Sequence, residues 1–171
     1  MDTPTFLALA LACAPQVHPE TALAIATVES SLNPYAIGVV GGALVRQPRT
    51  GAEARATARA LLAGGWNYSV GLGQINVANF ARLGLTTHNA FDPCASLTAM
   101  QSVLGECYRR AMSDADPQTA LRRALSCYYS GDFSTGVRHG YVRRVVGTAL
   151  RVSPRPAPRP PRTSPHQELS S

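Results

Sequence analysis

Apolar residues recur along this chain at helical rather than strand spacing, with proline, glycine and asparagine marking the breaks. The apolar stretch behind Pro4 predicts a first helix opening at Pro4 or Thr5 and running to about residue 14. Pro19 suits a first helical turn, and Glu20 complements its positive end, so a second helix starts there. It runs to near residue 31, because Asn33-Pro34 forbids simple continuation. Residues 35–51 read as a glycine-rich loop, with enough β preference over 39–45 for a short hairpin. Residues 52–63 form the next helix, stopped by Gly64-Gly65. Residues 76–83 look helical and end at Gly84. Asp92-Pro93 opens a longer helix in which Leu97, Met100, Leu104 and Tyr108 fall three and four apart. Ala120, Leu121, Ala124, Leu125 and Tyr128 share one face of a helix over 118–129, and residues 141–150 make the last one. The expected fold is mainly α with a small β element, and no internal repeat is visible.

Composition agrees with close-packed helices: 45% of the 171 residues are hydrophobic and only 6% aromatic, with alanine prominent among them. All 16 basic residues are arginines, and the net charge is +6. The tail SPRPAPRPPRTSPHQELSS is rich in proline and arginine and is expected to be extended and disordered. Two regions follow: a folded domain over residues 1–150 and a tail over 151–171. A basic surface attracts nucleic acid, anionic lipid or an acidic polymer such as a cell wall. No concentrated recognition helix favours nucleic acid, which is not an expected partner. The N-terminal stretch MDTPTFLALALACAP lacks a positive residue before its apolar run and carries Asp2, so it reads as a folded helix and no signal peptide is evident. Cys13, Cys94, Cys107 and Cys127 allow two disulfides in any of three pairings, or buried thiols. No C-x-x-C pair exists, and the four histidines show no ligand spacing, so neither a metal nor a cofactor is expected.

The chemistry starts from Glu29. It follows Leu23, Ile25, Ala26 and Val28 in an apolar helix, and nothing within four residues can neutralise it. A carboxyl in such a place either reaches water at the helix end or has its pKa raised by burial. Raised toward neutrality, it can donate a proton to a leaving group, as glycosidic bond cleavage requires. Gly71-Leu72-Gly73-Gln74-Ile75-Asn76 then combines glycines, which allow close approach of backbone, with two amides suited to hydroxyl and acetamido groups. It lacks the third glycine of a dinucleotide-binding fingerprint. Trp66 and Tyr68 precede it and offer flat rings to a sugar. Tyr128-Tyr129-Ser130-Gly131 ends a helix with tyrosines able to hold a carboxyl or a sugar.

Glu29-Ser30-Ser31-Leu32-Asn33-Pro34-Tyr35-Ala36, Gly71-Leu72-Gly73-Gln74-Ile75-Asn76 and Ala124-Leu125-Ser126-Cys127-Tyr128-Tyr129-Ser130-Gly131 resemble, in order, the three motifs of the soluble lytic transglycosylase family. Residues 32–38 and 91–94 resemble its branch from type IV secretion and conjugation systems. The resemblance covers about residues 5–150 and implies a lysozyme-like, goose-type helical domain. It implies cleavage of the β-1,4 bond between N-acetylmuramic acid and N-acetylglucosamine in peptidoglycan, leaving 1,6-anhydro ends. On that reading Glu29 is the catalytic acid and then base. Ser30, Gln74, Asn76 and Tyr128 or Tyr129 contact the saccharide or orient the carboxyl. The chain departs from the common pattern at Gly73, where the family usually has Met or Phe, and at Tyr129, where it usually has Asn.

One glutamate suffices for this reaction, whereas hydrolysis commonly needs two carboxylates. Asp92 reads as a helix cap, and Asp132 as a turn residue that could approach the cleft. The resemblance further implies a periplasmic, monomeric enzyme that acts on glycan strands and opens the wall for a secretion or conjugation apparatus. Contact with secretion components through the tail is a further expectation. The alternatives are a lysozyme-type muramidase and a non-catalytic glycan-binding scaffold.

Overall fold

The computed structural model describes residues 1–152. Its centre is α2 (Pro19–Ser30), in which the five consecutive residues Ala22, Leu23, Ala24, Ile25 and Ala26 are all buried. A helix apolar on every side must be enclosed by others. The helices α1 (Thr3–Cys13) and α7 (Tyr141–Val152) pack directly on it. The pair α4 (Pro93–Ala111) and α5 (Pro117–Ser130) completes the core, where Leu97, Met100 and Leu125 join Ile25, Tyr141 and Val145. The helix starts follow the sequence closely. Asp2, Asp92 and Asp116 each accept a backbone N–H of the first turn, from Thr5, Ala95 and Thr119 respectively, and each helix has proline in its first two positions.

A second, smaller core lies under an antiparallel sheet of β1 (Ile37–Val39), β2 (Tyr68–Val70) and β3 (Ile75–Asn76), in the order β1-β2-β3. Gly38 pairs with Ser69, and Val70 with Ile75. The helix α3 (Gly51–Ala63) adds Ala54 and Ala58 to this core, and Phe80, Leu85 and Phe91 close it. Tyr128 packs against both cores, so the third motif sits on the seam between them.

Three local expectations change. The hairpin expected over 39–45 does not form; Ile37–Val39 instead pairs with a strand some thirty residues later. The outer edge of β1 is occupied by a side chain: the Gln47 amide donates to Ile37 O and accepts from Ile37 N, both at 2.8 Å. Residues 76–83 form two 3-10 turns, Val77–Asn79 and Ala81–Leu83, because the Asn76 side chain caps the first of them and Gly84 ends the second. A short helix α6 (Thr135–Arg138) was not expected, and α7 runs two residues past residue 150. The expectation for the tail from residue 153 onward lies outside the described residues.

The cysteine pairing left open by the sequence is Cys13–Cys94 and Cys107–Cys127. The first joins the end of α1 to the start of α4 across 81 residues, and the second staples α4 to α5 across 20. Loop-closure entropy makes the longer link the more stabilising by about 1 kcal/mol. Urea unfolding of the Cys13→Ser/Cys94→Ser and Cys107→Ser/Cys127→Ser variants should therefore show losses of a few kcal/mol, larger for the first pair.

Candidate active site

Glu29 occupies the last turn of α2, with its side chain in a cleft of about 260 Å³. The cleft is also lined by Gly38, Val39 and Val40 from the β1 region, Ser69 from β2, and Gln74, Tyr128 and Tyr129. Residues from all three sequence motifs thus meet in one place. A second, mostly apolar cavity of about 440 Å³, lined by Val17, Leu104, Tyr108 and Leu121 among others, holds none of the motif residues. Chemistry rather than apolar character picks out the cleft.

The Glu29 carboxyl is largely enclosed, and loss of hydration raises its pKa from the ordinary 4.5 to about 7. Two groups oppose that shift. The Tyr141 hydroxyl donates a 2.6 Å hydrogen bond to Glu29 Oε1, and the positive charge of Arg144 favours the ionised form. Burial outweighs both. Because Tyr141 occupies Oε1, the proton of the neutral acid belongs on Oε2, which has no hydrogen-bond partner among the described residues. The carboxyl can give up that proton near neutrality, and a hydrogen bond is already in place to hold the resulting anion.

Tyr141 is the residue that sequence reasoning missed. It was visible only as the first residue of the last helix. Its ring is 1% exposed, and burial beside the Glu29 charge pushes its pKa upward, which keeps it a donor. Tyr129 stacks on it, with ring centroids 4.7 Å apart and planes at 21°. Tyr129 itself remains partly exposed toward the cleft, and its hydroxyl lies 3.4 Å from His139 Nδ1.

The motifs are fastened to one another by hydrogen bonds. The Ser30 hydroxyl bridges Ala26 O at 2.9 Å and Leu72 O at 3.0 Å, linking the first motif to the second. Its hydroxyl is therefore inside the fold, where it anchors backbone. The Gln74 amide, which lines the cleft, donates to Ala36 O and Gly71 O, both at 3.1 Å, and its Oε1 has no hydrogen-bond partner among the described residues. Gln74 holds this pose on a left-handed backbone at φ 48°, and Ser31 and Leu32 after Glu29 also have positive φ. For residues other than glycine this costs roughly 1 kcal/mol or more each, and the cost falls at Gln74, which lines the cleft, and in the chain just after Glu29. Asn76 is not among the residues that line the cleft; its amide donates to Asn67 Oδ1 and Ser69 Oγ and accepts from Ala78 N.

Tyr128 donates to Gly73 O at 2.6 Å. A Cβ on Gly73 would lie 2.8 Å from that hydroxyl and 3.2 Å from Met100 Cβ, so the departure from Met or Phe at this position makes room for the tyrosine. Gly38 has a similar reason: a Cβ there would meet Gln74 Oε1 at 2.8 Å. Two aromatics read as sugar platforms are placed elsewhere. Tyr68 is fully buried against the edge of Phe80, and Trp66, although half exposed, does not line the cleft. Neither aspartate weighed as a second carboxylate lines it. Asp92 caps α4, and Asp132 accepts from Ser134 N, Ser134 Oγ and Thr135 N, which holds its carboxyl far below the usual range.

The Transglycosylase SLT domain family matches residues 6–144, from α1 into α7 and across every motif above; the chain belongs to this family, and its fold is lysozyme-like. Among its relatives, "Type IV secretion system protein virB1" of Brucella abortus biovar 1 is 50% identical over 151 residues, which cover 84% of this chain and 63% of the relative. "Protein virB1" of Agrobacterium fabrum is 41% identical over 150 residues, covering 86% of this chain and 60% of the relative. The "Protein virB1" of Rhizobium radiobacter is 40% identical over 144 residues, 83% of this chain and 59% of the relative. The chain thus spans less than two thirds of the length of the curated relatives it matches. No solved structure matches it at a comparable level.

The raised pKa of Glu29 links pH to stability. The folded carboxyl binds its proton more tightly than the unfolded one, so folding takes up a proton between about pH 4.5 and 7. The ionisable group costs nothing below that window and costs about 3 kcal/mol above it. Glu29→Gln, which keeps an acceptor for Tyr141, should match wild type in urea unfolding at pH 4 and exceed its stability by up to about 3 kcal/mol at pH 8.

Proposed function

We propose that this protein is a peptidoglycan lytic transglycosylase that cleaves the β-1,4 bond between N-acetylmuramic acid and N-acetylglucosamine and leaves a 1,6-anhydro muramoyl end. The observation that carries this reading is an enclosed carboxyl, Glu29, poised near neutrality in a cleft that no other carboxylate lines among the described residues. Membership of the transglycosylase family supports it.

The reaction follows from those groups. Glu29 Oε2 gives its proton to the bridging oxygen as the bond from that oxygen to the muramoyl C1 breaks. Positive charge develops at C1, and the carboxylate left behind is held by Tyr141 and favoured by Arg144. The C6 hydroxyl of the same sugar then attacks C1, and Glu29 takes the proton that it loses. The glutamate ends as it began, no water is consumed, and no second carboxylate is needed. Gln74 Oε1 can accept a hydrogen bond from a sugar hydroxyl or acetamido N–H, and the exposed part of Tyr129 offers a ring to a sugar face.

The names of the relatives support a setting in the cell envelope, where cleavage would open the wall locally for a type IV secretion or conjugation apparatus in the periplasm. The proline- and arginine-rich tail is the proposed contact to components of that apparatus, and the enzyme acts as a monomer. Digestion of purified peptidoglycan, with mass analysis of the new ends, tests the reading. Wild type should produce anhydro ends, and Glu29→Gln should lower the rate by at least a hundredfold, within the range set by loss of a general acid. Reducing ends carrying added water would assign a muramidase instead. Absence of cleavage by folded wild type would assign a glycan-binding scaffold.

A further inference from the structure

Beside the helix that carries Glu29 lies an open pocket of about 540 Å³ that the proposed bond cleavage does not use. It is lined by Thr27 and Val28 of α2 and by Arg143, Arg144, Gly147, Thr148 and Arg151 of α7. Its form can be read from helix geometry. Residues 143, 147 and 151 are four apart and fall along one stripe of α7, with the ends of the stripe about 12 Å apart. Arginines stand at both ends, and the Arg151 guanidinium folds back over Gly147, with Nη1 3.6 Å from where a Cβ there would lie. Arg144 is one residue round the helix. Its guanidinium lies 5.9 Å from the centroid of the Tyr141 ring, and Tyr141 in turn holds Glu29 and carries Tyr129. The pocket therefore adjoins the cleft wall through Arg144.

The three arginines are exposed, and none forms an ion pair with a carboxylate among the described residues. By contrast, Arg46, Arg82 and Arg123 are paired with Glu53, Glu106 and Asp114. Arg144 donates to His139 O and Arg151 to the Thr148 hydroxyl, which use one N–H group each and leave the other donors available. Among the described residues, no acidic side chain lines the pocket. Three cations of fixed charge spread along one face of α7 suit an extended ligand with carboxylates along its length better than a point anion.

We propose that this pocket receives the carboxylates of the stem peptide borne by the muramoyl residue whose bond is cleaved. This rests on the proposed transglycosylase activity and narrows its substrate to peptide-bearing strands. Arginine–carboxylate contacts there fix the strand relative to Glu29 and lower KM for such strands.

The test compares cleavage of glycan strands that carry their stem peptides with the same strands stripped of peptides by an amidase. Wild type should have the higher kcat/KM on peptide-bearing strands. Arg143→Ala/Arg151→Ala should reduce that preference threefold to tenfold, chiefly through KM, as two exposed charge contacts allow. Arg143→Lys/Arg151→Lys should keep most of it, and 0.5 M salt should erase it in wild type by screening. An alanine variant that loses the same factor on both substrates, or a wild type with no preference between them, overturns the proposal. Retention of the preference alongside loss of binding to anionic phospholipid vesicles also overturns it and makes the pocket a membrane contact. Failure of wild type to cleave either substrate defeats the transglycosylase reading instead, and this proposal with it.

Discussion

The hydrogen bond from Tyr141 to Glu29 Oε1 joins the first motif to the last helix at the point where the fold encloses an ionisable acid. Its effect is opposed to that of burial. Desolvation alone would keep the carboxyl neutral, and a neutral group that never ionises cannot release a proton. The tyrosine, with the more distant Arg144 charge, brings the two states close enough in energy to exchange near neutrality. The final helix therefore does more than close the core. It brings a donor to the carboxyl, and the ring of that donor supports Tyr129 at the cleft.

The two-core architecture explains why the cleft exists at all. The helical core around α2 presents Glu29, while the core beneath the sheet presents Gly38, Ser69 and Gln74. Between them, Ser30, Gln74 and Tyr128 each hydrogen-bond the backbone of a distant segment: Ser30 reaches Leu72, Gln74 reaches Ala36 and Tyr128 reaches Gly73. Motif residues that look like ligand contacts in the sequence are thus partly the fasteners that set the cleft width. Strain on the backbones of Ser31, Leu32 and Gln74 is tolerated where those fasteners hold it.

What the sequence made legible follows from how local each signal is. Proline with a capping aspartate marks helix starts within a residue or two, and the run from Leu23 to Ala26 announces a helix buried on all sides. Glu29 stands out because its surroundings contradict its charge. Tyr141 carries no such sign: a tyrosine at a helix start is ordinary, and its partner is 112 residues away. Asn76 and Ser30 have the right chemistry for a saccharide, but the same donors and acceptors serve backbone just as well, and only the fold decides between these uses. The sheet was misplaced for a related reason, since the Gln47 side chain occupies the β1 edge that a local hairpin would have used.

All of this depends on a carboxyl held half-neutral by its enclosure. The direct measurement is the pKa of Glu29 itself, followed by carboxyl carbon NMR in the intact protein and in Tyr141→Phe. A midpoint near 7 in wild type, rising further when the tyrosine hydroxyl is removed, is the expected result. A wild-type midpoint near 4.5, unmoved by Tyr141→Phe, would mean that Glu29 faces water and that the proton-transfer chemistry assigned to it is wrong.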